Sequence, residues 1–460
     1  MPAKRASLPL FVLTLTLSGA LEAQRQPASK PLLVPTEPKG SVELKPHPTV
    51  IQQYPVVVDL SQLKNRRLLL PLFKNAEVVL VRDEKESGPS DVSVWEGEVE
   101  GQPGSMAILA TAKNVLVGDV MTRDPKGAFG FYQIRYLGNG VHVLREVDQS
   151  KFPPEEGGVE REPRSKAIRA TATDVLVRDG MRRDPKGASG FYPVRYPGNG
   201  VHSVVPDPTP VPASDLCGDP ATRIDALVVY TDAARGAAGG KNAMRLLIES
   251  AVRSTNRSYR KSEVTHRLRL VHVQRVDYQE SPSLLKDRER LVDGQVSGVR
   301  ALRNAHAADV VVLIVTEREF DCGWSKVMPT VSDGNETEAY AVVAHNCAGL
   351  PMWSFAHELG HIMSARHNRP HDDERGPFTF NHGYVRALPT TRSPWHTIMA
   401  KELEGCDDPP RKCSTRIPRW SNPKVSYPDA SGDPTGDADH DNHQALEETA
   451  LTVANYRCAR

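Results

Sequence analysis

The first 216 residues of this 460-residue chain contain no cysteine, and all six cysteines (Cys217, Cys322, Cys347, Cys406, Cys413 and Cys458) follow them. No two stand as C-x-x-C, which speaks against a cysteine-held zinc module. Beyond the N-terminus no stretch approaches 18 uninterrupted apolar residues, so no membrane-spanning helix is expected. Neither sign of charge is in excess. Lysine and arginine number 58 against 57 acidic residues, a net charge of +1, so neither nucleic acid nor an anionic membrane is indicated as a partner. The run Asp437, Asp439, Asp441 offers oxygen ligands for calcium, but it lacks the spacing of an EF-hand loop and reads better as a solvated acidic turn. With 39% hydrophobic and 25% charged residues the chain is of ordinary globular composition, long enough for two or three domains.

What is present begins with a targeting segment. Lys4 and Arg5 precede the apolar run LPLFVLTLTLSGAL, which is too short to span a bilayer, and small residues at Ala20 and Ala23 suit cleavage. Residues 1–23 are therefore expected to be a signal peptide, and the protein to be exported. An oxidising destination makes disulfides feasible, and an even count confined to one part of the chain suggests three bridges. Sequence alone does not separate the fifteen pairings. The preferred set joins Cys406 to Cys413, Cys322 to Cys347, and Cys217 to Cys458.

The N-terminal half carries an internal duplication. Residues 110–142 and 170–202 align at an offset of 60 with 24 of 33 positions identical. In each copy VLV and FYxxRY are short β-type runs, separated by Asp-Pro-Lys-Gly and closed by Gly-Asn-Gly, so each copy is expected to be a β-hairpin. Two copies are too few for a solenoid, and a tandem duplication inside a small β-rich domain is the better account. With no cysteine and no clustered histidines, residues 24–212 are expected to serve folding or inhibition. PDPTPVP, residues 206–212, favours extended backbone and marks a boundary.

From residue 213 to 460 the pattern turns to α/β. IDALVVY and ADVVVLIV read as buried strands, Leu268–Tyr278 as an alternating strand and Tyr340–Ala344 as a short one. Lys241–Tyr259, a segment through Val299, Leu302 and Ala305, and Asn442–Tyr456 read as helices.

The chemistry is concentrated in HELGHIMSARH, residues 357–367. On a helix, residues four apart share a face, so His357 and His361 can grip one metal ion. Zinc suits imidazole and keeps one position open for water in a catalytic site. Glu358 falls beside that water and can take its proton and pass it to a leaving amine. His367 lies ten residues after His357, about 15 Å along a straight helix at roughly 1.5 Å per residue, so the helix must end and the chain turn back. The turn position is Ser364, where a left-handed conformation costs about 1–2 kcal/mol against glycine. That is small beside zinc-binding energies of roughly 10 kcal/mol. Leu359, Ile362 and Met363 give the helix a face to bury. His345, His371, His382 and His396 read as cleft or surface histidines.

These residues resemble the metzincin zinc proteases, whose motif H-E-x-x-H-x-x-x-x-x-H is followed by a methionine turn beneath the metal. Met399, in WHTIMA, stands where that methionine is expected. IDALVVYTDAARGAAGG, ADVVVLIV with DCGW, NHGYV, RIPRWSNPKVSY and DNHQALEETALTVANYR look like secreted bacterial metzincins related to peptidyl-Asp metalloendopeptidase and the reprolysins. WEGEVEGQPGSMAILATAKNVLVGDV resembles their propeptide region. The resemblance implies a twisted mixed sheet with an active-site helix, one catalytic Zn2+ on His357, His361 and His367, protein or peptide substrates cut on the N-terminal side of aspartate, and a monomeric enzyme made as a proenzyme. Ser364 departs from the usual glycine, and Lys401 stands where some relatives place a metal-ligating tyrosine. A propeptide without cysteine must inhibit sterically or through a carboxylate, for which the two DPKG copies offer Asp124 and Asp184. One rival reading takes a third ligand from Glu374, Glu402 or Glu404. The other is a catalytically inactive metzincin-like binding or adhesion module, which has no need of an intact Glu358.

Overall fold

Alternating and continuous apolar runs between Leu33 and Val147 build one antiparallel sheet of nine strands: β1 (Leu33–Pro35), β2 (Val50–Val58), β3 (Arg67–Pro71), β4 (Glu77–Arg82), β5 (Ser93–Val99), β6 (Met106–Ala112), β7 (Val115–Arg123), β8 (Phe129–Gly138) and β9 (Val141–Val147), in the order β1-β2-β9-β8-β7-β6-β5-β4-β3. The terminal strands of that order meet where Leu32 N–H donates to Leu69 O at 2.8 Å, so the sheet curls round onto itself and shields its edges. Leu33, Leu68, Leu70, Trp95, Leu109, Leu116, Ile134 and Leu144 fill its interior. The first duplicated copy supplies β7, β8 and their turn. There Asp124 Oδ1 accepts from Ala128 N at 2.8 Å, so this carboxylate is used in closing the hairpin.

This computed structural model describes residues 30–37, 44, 46–73, 76–83, 91–155, 220–386, 394–402, 413–428 and 432–458. The expected signal peptide, the second copy at 170–202 with Asp184, the 206–212 linker, Cys217, Cys406 and Glu404 lie outside the described residues. The described residues fall into two compact units. One is drawn from Met1–Lys151, Arg235–Ser250 and Pro428–Gly432, the other from Phe152–Ala234, Ala251–Tyr427 and Asp433–Arg460. Among the described residues no helix is long and apolar enough to cross a membrane.

The second unit is mixed α/β. Its main sheet contains β10 (Arg223–Thr231), β11 (Arg267–Val276), β12 (Val310–Val315), β13 (Gly323–Ser325) and β14 (Tyr340–Ala344), ordered β11-β10-β12-β14-β13. The first four run parallel, and β13 lies antiparallel against β14 at the edge. The run VVVLIV of β12 is buried along its whole length, as a central parallel strand covered on both faces requires. A small second sheet joins β15 (Val385–Arg386), β16 (Trp395–His396) and β17 (Thr415–Arg416). The helices of the chain are α1 (Asp232–Ala237), α2 (Lys241–Lys261), α3 (Leu284–Val292), α4 (Val299–Ala305), α5 (Ser354–Ile362) and α6 (Asn442–Ala454). The strands and helices read from the sequence of this half are all present. The short α1, α3 and β13 carry too little periodicity to be read in advance.

Cys322 and Cys347 form a disulfide with Cα atoms 5.5 Å apart, as the preferred pairing has it. Cys413 and Cys458 are each engaged in a disulfide as well.

Fully buried His266 packs edge-on against Tyr259, ring centroids 4.5 Å apart, and burial pushes its pKa down to about 3. The folded chain keeps it neutral, whereas the unfolded chain protonates it near 6.5. Its contribution to stability is therefore full above pH 6.5 and is lost as the pH falls towards 3, with a limiting slope of about 1.4 kcal/mol per pH unit. His266→Phe is expected to flatten urea-measured stability between pH 6.5 and 4, and an unchanged slope would refute this assignment.

Candidate metal centre

Helix α5, SFAHELGHI, is unusual in that all nine of its residues are buried, polar and apolar alike. Buried imidazoles must be given partners, because an unpaired polar group in a dry interior is costly. His357 Nδ1 lies 2.8 Å from Ile398 O, and His361 Nδ1 lies 2.8 Å from Ala365 O. Each carbonyl can only accept, so each Nδ1 carries the proton and each Nε2 presents a lone pair.

His367 completes the set. The three Nε2 atoms lie 3.1, 3.1 and 3.2 Å apart. Tetrahedral zinc bound at about 2.0–2.1 Å would separate three nitrogens by about 3.3 Å. Three converging lone pairs cannot satisfy one another, so the donor set fits a cation. Among the described residues no other group of histidines, cysteines or carboxylates brings ligand atoms together in this way. Burial first, then neighbouring cationic groups, hold His357 and His367 well below the usual histidine range.

The turn that returns His367 to the helix is set by Ser364. Its φ is +68°. Ser364 N–H donates to His361 O at 3.0 Å and Ala365 N–H to Gly360 O at 2.9 Å, the two bonds of a Schellman ending with serine in the glycine position. The hydroxyl donates to Met328 O at 3.1 Å, and Asn381 Nδ2 donates to Ser364 O at 2.5 Å. The strained residue is thus tied on both sides. His382 Nδ1 lies 2.8 Å from His367 O, holding the third ligand's own backbone.

Met399 is fully buried beneath the helix. A Cβ added at Gly360 would meet Met399 Sδ at 2.6 Å and the Trp420 ring at 2.8 Å, so α5 rests on this turn through a bare backbone. Lys401 N–H donates to Asn368 Oδ1 at 2.8 Å, pinning the segment after Met399 to the one after His367.

Glu358 is fully buried beside the ligands. Ser325, on edge strand β13, donates its hydroxyl to Glu358 Oε2 at 2.6 Å and lies 2.8 Å from Glu358 O. Oε1 has no hydrogen-bond partner among the described residues. A side chain at Gly323 would overlap it. Burial first, and then the Glu155 carboxylate, raise the Glu358 carboxyl well above the ordinary range.

The remaining candidates fall elsewhere. His371 Nε2 meets Glu402 O at 2.7 Å and His396 Nδ1 meets Ser414 Oγ at 2.8 Å. Neither these nor His345, Glu374 and Glu402 join the histidine cluster. Asp437 Oδ1 takes His440 Nδ1 at 2.6 Å and Asp439 N–H at 3.0 Å, while Asp441 Oδ1 caps α6 by accepting from Gln444 N at 2.9 Å. The expected calcium option therefore finds no support: these carboxylates serve a turn and a helix cap. Ser325, Ser354, Arg416 and Glu155 surround the centre without having been singled out from the sequence. Only the proximity of DCGWS to the other motif blocks hinted at the first.

Residues 246–368 match the metallo-peptidase family M12B, reprolysin-like. A peptidyl-Asp metalloendopeptidase of Stenotrophomonas maltophilia strain R551-3 is 30% identical over 473 residues, covering 97% of each chain. That of strain K279a is 30% identical over 470 residues, again 97% of each. One from Xanthomonas campestris pv. campestris is 28% identical over 423 residues, 89% of this chain and 87% of the relative.

Two substitutions test this construction. Gly360→Ala is expected to cost about 1–3 kcal/mol by overpacking and to lower zinc retention on dialysis. Ser364→Gly should leave thermal stability within about 1 kcal/mol, because relief at positive φ offsets the lost hydroxyl bond. A large loss on the second would mean that the hydroxyl, and not the backbone angle, sets the turn.

Proposed function

This chain belongs to the peptidyl-Asp metalloendopeptidases and is a zinc metalloendopeptidase, and from that premise we propose a secreted, monomeric proenzyme in which Glu358 is the general base and aspartate directs the cut to its N-terminal side. The observation that carries the catalytic part is the arrangement of α5 and the turn after it: three Nε2 lone pairs converge, and the next residue after His357 offers a carboxylate with one oxygen fixed and the other unpartnered among the described residues. His357, His361 and His367 would hold zinc, which when bound supplies a Lewis acid that acidifies water and takes up charge developing on the peptide carbonyl. Ser325 occupies Oε2 and so leaves Oε1 as the atom available for proton transfer. Burial favours the protonated form of Glu358, which suits a group that must release its proton to the departing amine after taking it from water. The Nδ1 bonds to Ile398 O and Ala365 O keep the imidazoles oriented through the cycle.

The targeting segment supports export, and the β-rich half preceding the catalytic unit supports synthesis as a proenzyme. The test is digestion of an unfolded protein by the full chain after secretion, compared with Glu358→Gln and with added chelator. Glu358→Gln is expected to lower kcat by about 10²–10⁴-fold with zinc content and circular dichroism unchanged. Full activity in a folded, zinc-loaded Glu358→Gln protein would remove Glu358 from the reaction.

A further inference from the structure

The segment that ends the described N-terminal half, Phe152–Glu155, packs with the catalytic unit. Glu155 is fully buried there. Pro154 O accepts from Cys322 N at 3.0 Å, one residue before edge strand β13. That strand pairs with β14 on one side only, and its Ser325 holds Glu358. An exposed strand edge is the place where an extended peptide adds to a sheet. Glu155 Oε1 receives the Ser354 hydroxyl at 2.5 Å and Arg416 NH1 at 2.9 Å. Ser354 is the first residue of α5, one turn before His357.

Resting on the peptidase reading, we propose that Ser354 and Arg416 form the subsite for an acidic substrate side chain, and that Glu155 fills it in the unprocessed chain as a built-in substrate mimic. Arg416 is only 4% exposed, and its guanidinium is held by Met352 O at 2.8 Å and Ala400 O at 3.3 Å. The first carbonyl lies just before α5 and the second just after Met399, so the cation is aimed by the same two segments that build the metal centre. A buried guanidinium strongly disfavours a neutral occupant, because its charge would then be left uncompensated. The hydroxyl adds a second donor to the same carboxylate oxygen. Oε2 has no hydrogen-bond partner among the described residues, so the preference for a carboxylate over the isosteric amide rests on the guanidinium's charge. It also places a carboxylate of the N-terminal half at the centre, where Asp124 is spent on its own hairpin.

The test uses the full chain carrying Glu358→Ala, so that it stays intact, and a fluorescent peptide containing one aspartate. Adding Glu155→Gln is expected to tighten binding by about tenfold or more, measured by anisotropy, and to have no such effect on the same peptide with asparagine in place of the aspartate. In the active enzyme recovered from the full chain, Ser354→Ala should lower the ratio of kcat/KM for aspartate over asparagine peptides by about tenfold, and Arg416→Gln by more. Because Arg416 also supports two carbonyls, the Ser354 variant keeps the test valid if the Arg416 variant does not fold. Unchanged binding with Glu155→Gln, or an unchanged ratio in folded Ser354→Ala, would overturn the subsite. Binding that follows Glu155, together with a protein of unaltered Glu358 that cuts no peptide, would uphold the subsite and overturn the peptidase.

Discussion

Three imidazole lone pairs must point at one place inside a dry interior, and most of the catalytic unit follows from that demand. A lone pair on Nε2 requires a proton on Nδ1, and each buried Nδ1–H requires an acceptor. His357 finds it in Ile398 O, which exists at that position only because the chain turns at Met399. His361 finds it in Ala365 O, which is available only because the helix stops at Met363 and reverses through Ser364. The same reversal delivers His367. Ligands, helix ending and methionine turn are therefore one construction. Gly360 is the point where its layers touch, since no side chain fits between α5 and Met399.

The duplication of roles extends to the carboxylates. Glu358 and Glu155 are both fully buried, yet their surroundings differ. Each has one oxygen without a partner among the described residues, and the donor to the other oxygen of Glu358 is a single neutral hydroxyl. Glu155 faces a guanidinium as well as a hydroxyl. The first environment suits a group that exchanges protons. The second suits a group that is gripped as an anion. Burial raises both carboxyls above the ordinary range and the buried Arg416 pulls against it in both, but it is the largest opposing influence only on Glu155, which it touches directly.

The metal site was legible because its information is local: a helical spacing of four, a fixed offset to the third histidine, and a methionine downstream. The central strands were legible for a similar reason, since a run such as VVVLIV has no place but the middle of a covered parallel sheet. The serine takes the left-handed conformation expected of the turn position, while the bonds to Met328 and Asn381 that secure it join distant parts of the chain. Glu155 and Arg416 were invisible for the same reason. They stand 261 residues apart, and nothing near either one announces the other. Asp124 had the right chemistry for a latch, but a Pro-Lys-Gly turn beside it had a prior use for its oxygen.

The disulfide between Cys322 and Cys347 closes a loop of 25 residues that begins at the strand edge and contains β13, Ser325 and β14. In the chain-entropy view such a closure removes about 3.5 kcal/mol of freedom from the unfolded ensemble. One end of the bridge lies beside the strand that braces Glu358, and at the other end Cys347 O accepts from Ser354 N at 3.1 Å, where the helix of the histidines begins. The proton-transferring wall and the ligand-bearing helix are therefore moored to a single covalent point.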